Sequence, residues 1–152
     1  MLSLLVTFLM WPVCAQASSS SSPTQLIVRV GGFLGSTHVI ELSRNALWCT
    51  ELQGNQPVKK HLARPSHEQW IQFRSELNTV NVRRWQKAYL NPNVLDGTQW
   101  SVRIRYPDLV VESVGSNNFP DLNGRPNGSP EETLAFQRFR ASFSILDKEC
   151  HL

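Results

Sequence analysis

The chain has 152 residues, enough for one domain with a real core and too few for two ordinary ones. Its 15 basic and 12 acidic side chains leave a formal charge of +3, an excess that suits solubility and falls short of a nucleic-acid stripe. Arg outnumbers Lys, and guanidinium forks suit carboxylates and phosphates, so an anionic ligand or an acidic envelope protein remains as a partner class.

Residues 1–17 carry no charged side chain. An apolar run is followed by Ala15-Gln16-Ala17, the small-residue pattern of a secretory signal peptide cut after Ala17. The run is shorter than the about 20 residues that span a bilayer. It lacks basic residues at its start, so either the amino terminus supplies the positive charge or the true start lies upstream. Pro12 argues against a buried N-terminal helix. A lipid anchor at Cys14 is disfavoured because Val13, not a small residue, precedes it. The reading is an exported protein, periplasmic or extracellular, with no transmembrane span in the mature chain and no nucleic-acid partner. Residues 18–24, Ser-Ser-Ser-Ser-Ser-Pro-Thr, read as a flexible tether with nothing to bury against its ordering entropy. Residues 25–152 then form a single domain.

That domain opens with three β-rich runs, 25–30, 37–42 and 47–52. Gly31-Gly32 and Gly35-Ser36 separate the first two, and a turn over 42–46 separates the next, which predicts an antiparallel meander. Residues 53–57 read as loop, with Gly54 and Pro57 as breakers. Ser66 and Gln69 fit a capping box at the start of a helix. Trp70, Phe73 and Leu77 recur at helical spacing, with Ile71 beside them, and predict the buried stripe. The apolar face continues through Val80, Val82, Trp85 and Tyr89 as a strand or short helix.

Asp96-Gly97 marks a turn. Beyond it Thr98, Trp100, Val102, Ile104 and Tyr106 alternate with Gln99, Ser101, Arg103 and Arg105, a strand with one buried and one wet face. Pro107-Asp108 turns the chain and 109–114 returns as the hairpin partner. Residues 115–128 form a long polar loop with Phe119-Pro120 as its apolar anchor. Ser129, Pro130, Glu131 and Glu132 predict the start of a last helix, with Phe136, Phe139, Phe143 and Leu146 inward and Arg138, Arg140 and Lys148 outward. The fold class is α+β: an antiparallel sheet of about five strands, a β-meander plus a β-hairpin, with helices on one face. Export leaves two cysteines, Cys49 and Cys150, which should form a disulfide tying an early strand to the C-terminal tail.

The order Trp85-x-x-x-Tyr89, Asp96-Gly97-Thr98-x-Trp100, Gly115-Ser116-Asn117-x-Phe119-Pro120, then an amphipathic helix, resembles a group of small, uncharacterised bacterial exported proteins. The resemblance covers about the latter half of the mature chain. It implies a compact domain closed by these residues, with no activity or cofactor to carry over. The extra polar residues between Asp121 and Ser129 leave the register there open.

No residue set specifies a catalyst, and none calls for a cofactor. His38, His61, His67 and His151 share no metal-ligand spacing, and there is no nucleophile elbow. The 31–36 stretch has the glycines of a phosphate loop but no Lys. The expected function is therefore a non-enzymatic binding module. Its candidate surface is Arg103 and Arg105 on the wet strand face with Asn117 and Asn118 at the adjoining loop, a clamp for an acidic ligand. The alternative is a small hydrolase, with Asp96, Asp108 or a His beside the 115–128 loop.

Overall fold

A computed structural model describes residues 21–32, 35–94 and 96–152. The expected leader and residues 18–20 of the tether lie outside the described residues. The described end of the tether is not loose. Pro23 is buried, Ser21 Oγ lies 2.8 Å from His67 Nδ1, and the Thr24 N–H donates to the Arg105 carbonyl at 2.7 Å.

The three early β-rich runs become β1 (Gln25–Gly32), β2 (Ser36–Ser43) and β3 (Ala46–Gln53). β2 and β3 close on Arg44 and Asn45, both at positive φ, as a two-residue hairpin with the twist of its strands requires. The expected loop at 53–57 is instead a tight turn at Gly54-Asn55 leading into an unforeseen strand, β4 (Gln56–Ala63). β4 is the sheet's outer edge and is mostly exposed, so it has no apolar alternation to betray it. Its Pro57, Lys59 and Lys60 suit an edge, where they blunt pairing with other chains.

Helix α1 (His67–Thr79) starts with the expected capping box: Gln69 N–H donates to Ser66 Oγ at 3.3 Å, and Ser66 N–H donates to Gln69 Oε1 at 2.8 Å. Trp70, Phe73 and Leu77 are buried, but Ile71 points to solvent, one position off the stripe. A 3-10 turn (Val82–Arg84) leads to β5 (Ala88–Leu90), then β6 (Thr98–Tyr106) and β7 (Leu109–Ser116).

The seven strands form one sheet in the order β4-β3-β2-β1-β6-β7-β5. It is antiparallel except for β5 with β7, so the expected five strands gain β4 and the three-residue β5. β1 joins the two expected halves by pairing with β2 on one side and β6 on the other.

The last helix starts later than the sequence predicts. Ser129 Oγ only accepts from the Glu131 N–H, a local turn, whereas Thr133 Oγ1 accepts from the Phe136 N–H and caps α2 (Leu134–Ala141). Thr133 wins because its hydroxyl also donates to the Pro120 carbonyl, tying the helix to the polar loop. Ser142 interrupts the run before α3 (Phe143–Leu146). Phe136, Phe139, Phe143 and Leu146 are buried as expected. Arg140 is half-buried and hydrogen-bonds to the Leu152 carbonyl and Glu132, so it does not simply face out.

The helices share one face of the sheet. Leu26 and Val28 of β1, Trp100, Val102 and Ile104 of β6, and Val111 of β7 meet Phe73, Phe136, Phe139 and Phe143 in a single core. Over β3 and β4 this face is covered by residues 147–150. Cys150 is disulfide-bonded to Cys49 of β3, while Asp147 meets His61 at 3.1 Å and Glu149 meets Lys59 at 2.7 Å on β4.

Candidate functional site

The strand alternation that buries one face leaves the other open. Directly opposed residues of neighbouring strands share a face. On the open side Arg29 lies opposite Val39 of β2 and Ser101 of β6, and Ser101 lies opposite Val114 of β7. One step along, Ile27 lies opposite Arg103, which lies opposite Glu112. Arg29, Arg103 and Arg105 are exposed on this face, as are Leu90, Val110 and Val114. The face is thus cationic and apolar together, with no described helix over it.

Two adjoining grooves run along it. One, of about 510 Å³, is lined by Arg29, Gly31, Thr37, Ser101, Leu90 and Val114, among others. The second, of about 370 Å³, continues past Ser101 and Val114 toward Ile27, Arg103, Glu112 and Lys87. They form because β6 presents the small Ser101 between longer neighbours.

Of the residues expected to bind, Arg103 and Arg105 stand where the alternation places them. They are not a free pair: Glu112 of β7 sits 3.0 Å from Arg105 and 3.7 Å from Arg103. Asn117 and Asn118 are not part of the surface. Both are buried, and each works as a brace. Asn117 Nδ2 donates to the Val94 carbonyl at 3.2 Å. Asn118 Nδ2 donates to the Leu90 carbonyl at 3.2 Å, while its Oδ1 accepts from the Gly128 N–H at 3.0 Å. A polar loop next to a strand end reads as exposed in sequence; here its Asn side chains satisfy backbone carbonyls of β5 and the segment that follows it.

Arg29 is the residue that sequence reasoning missed. It is exposed within a run of buried Leu26, Val28 and Val30, an alternation visible in the sequence. Its pairing with β6, which puts it diagonally next to Arg103, is non-local. Among the described residues Arg29 has no hydrogen bond or ion pair.

The two carboxylates expected of a hydrolase stand apart, while His38 and His151 line one small pocket of about 40 Å³ beside Glu51 and Glu149. Asp96 is exposed before the start of β6, and Asp108 lies just past its far end. Asp108 binds Arg74 at 2.8 Å and Arg83 at 2.7 Å. Burial pushes its carboxyl upward, but the hydrogen bond from Arg83 and the charge of Arg74 win and hold it below its ordinary value. It is an ionised partner, not a proton donor. His38 is on β2, His61 on β4, His67 at the start of α1 and His151 near the C-terminus. Among the described residues no group of three or more His, Cys, Asp or Glu is placed to hold a metal ion.

The residues of the Trp, Asp-Gly-Thr-x-Trp and Asn-x-Phe-Pro pattern converge on one aromatic cluster. Trp100 lies 5.9 Å from Trp85, 5.6 Å from Tyr89 and 6.4 Å from Phe119 between ring centroids. Its Nε1 donates to the Asn118 carbonyl at 3.0 Å. Gly115 is a glycine because an added Cβ would stand 2.0 Å from the Trp100 indole. These residues build the rigid end of the sheet beneath the larger groove.

The described residues form an α+β domain whose described helices all lie on one side of a mostly antiparallel sheet. The chain matches no family model, no curated protein and no solved structure. Among the described residues no helix is long and apolar enough to cross a membrane.

Proposed function

We propose that this is an exported, non-enzymatic binding module that holds an anionic ligand or acidic partner on the open face of β1, β6 and β7. One observation carries the reading. Among the described residues no helix covers this sheet face, and it presents Arg29, Arg103 and Arg105 among exposed Leu90, Val110 and Val114. Guanidinium groups beside apolar surface give charge complementarity together with desolvation. Asp96 and Asp108 lie beyond opposite ends of β6, which favours binding over catalysis by that pair. The Cys49–Cys150 disulfide, the leader-like residues 1–17 and the resemblance to bacterial exported proteins support export.

The test is a titration of isotope-labelled full chain with acetate, inorganic phosphate and an acidic tripeptide, followed by amide shifts. Saturable shifts should map to β1, β6 and β7, and the double reversal R103E/R105E should diminish them. Shifts scattered over the molecule, or unchanged by the reversal, would remove the open face as the binding surface. Intact mass of the product from the expressing cell, with and without reductant, checks export: loss of residues 1–17 and a gain of two hydrogens on reduction are expected. An unprocessed chain with both thiols free overturns that part.

A further inference from the structure

We infer that the larger groove takes a single-chain anionic amphiphile, one alkyl chain bearing one carboxylate or phosphate, with Arg29 as its anchoring cation. This rests on the open-face reading and names its ligand class.

The charge argument singles out Arg29. Glu112 stands between Arg103 and Arg105 and pairs with both. Arg29 lines the larger groove with no ion pair or hydrogen bond among the described residues. Arg29 makes no ion pair even with Glu41, which stands diagonally from it on β2, and an unpaired guanidinium over a half-apolar groove is an oxyanion site.

Two hydroxyls flank it. Ser101 is directly opposite Arg29 on β6, and Thr37 belongs to the neighbouring β2. Neither side chain is engaged by another described residue, so both can donate to an oxyanion. Gly31 permits this arrangement: a Cβ there would stand 2.3 Å from Thr37 Oγ1. With glycine, the threonine side chain lies against the sheet beside Arg29.

The opposite wall is apolar. Val114 is 47% exposed and Leu90 is 63% exposed, the latter among the most exposed large apolar side chains of the domain. Cation and hydroxyls on one wall with bare aliphatic groups on the other match an anionic head and an alkyl body. The volume of about 510 Å³ lies within the range of about 300–1,000 Å³ typical of small-molecule sites. The adjoining groove is lined by Glu112 together with Arg103 and Lys87, so it carries both signs of charge.

The experiment titrates labelled full chain with decanoate and with decyl phosphate, both below micelle formation. Inorganic phosphate serves as the head alone and decyl maltoside as the tail alone. Either anionic amphiphile should give saturable amide shifts at 29, 101 and 114, and the better of the two identifies the head. R29Q should weaken it at least tenfold, and the uncharged L90N should weaken the amphiphile while leaving the weak response to inorganic phosphate intact. R64Q, on the exposed segment after β4, should bind as wild type. Equal affinity for inorganic phosphate and decyl phosphate would overturn the alkyl part. Equal affinity for decyl maltoside, or an unchanged R29Q, would overturn the role of Arg29. If the small anions shift β1, β6 and β7 but neither amphiphile binds more tightly, this inference fails while the open-face reading stands.

Discussion

Gly115→Ala adds one methyl group where the domain has least room. The new Cβ would stand 2.0 Å from Cε2 and Nε1 of Trp100 and 2.4 Å from Cζ2. Carbon atoms pack at about 3.5–4.0 Å, so the indole must recede by about 1.5 Å or β7 must bow away. Trp100 has nowhere to go. It is 3% exposed, and Phe136 stands 4.9 Å behind it between centroids, with Trp85, Tyr89 and Phe119 also in contact range. Overpacking of this kind costs about 1–3 kcal/mol. Pulling Nε1 from the Asn118 carbonyl strands a buried donor for a further about 1–3 kcal/mol. Reduced backbone freedom of the unfolded chain returns up to about 1 kcal/mol. The expected net loss is about 1–6 kcal/mol, a large part of the about 5–15 kcal/mol that a domain possesses. Urea unfolding with the disulfide intact, followed by tryptophan fluorescence and near-ultraviolet circular dichroism, measures it. Gly35→Ala is the control, since among the described residues no heavy atom lies within 4 Å of the Gly35 Cβ position; it should stay within about 0.5 kcal/mol. A Gly115→Ala protein equally close to wild type, with its aromatic spectrum unchanged, would refute the packing argument.

Replacing Cys49 and Cys150 by Ser should cost about 2–5 kcal/mol, because the bridge closes a loop with a sequence separation of 101; hydrogen exchange should then rise first in residues 147–152. Thr133→Ala removes the cap of α2 and the link to Pro120, and should cost about 1–2 kcal/mol by urea denaturation, whereas Ser129→Ala should cost little. Among the described residues the buried Tyr106 hydroxyl makes no hydrogen bond, and burial, only partly offset by the Arg74 guanidinium, pushes its ionisation from 10.0 up to about 12. The neutral ring's contribution to stability is therefore complete below pH 10.0 and is lost as pH rises through about 12. Tyr106→Phe should remove that alkaline loss and be neutral or stabilising at pH 7, read from denaturation midpoints across the range. At the acid end, the Glu149 N–H and His61 hold the Asp147 carboxyl below its ordinary 3.8. Its contribution is complete above that value and fades as pH falls through the lowered one, so Asp147→Asn should flatten the acid limb of a stability profile.

Much of the domain is legible in the chain itself. Strict alternation over 98–106 fixes β6 and its two faces, and Ser66 with Gln69 fixes the start of α1, because both signals lie within a few residues of the structure they specify. The Cys49–Cys150 link also follows from counting, if residues 1–17 are read as a leader and set aside. Contacts between distant segments decide the remainder. β4 exists because β3 offers it an edge, and nothing in its exposed residues says so. Thr133 displaces Ser129 as a cap because Pro120 lies within reach of its hydroxyl. Asn117 and Asn118 are drawn inward by the bare carbonyls of Val94 and Leu90. Arg29 enters the candidate site only because β1 lies beside β6, which follows them by about seventy residues of chain that local patterning cannot bridge. Short-range periodicity therefore determines which faces are apolar, and only tertiary pairing decides which polar groups meet on the open one.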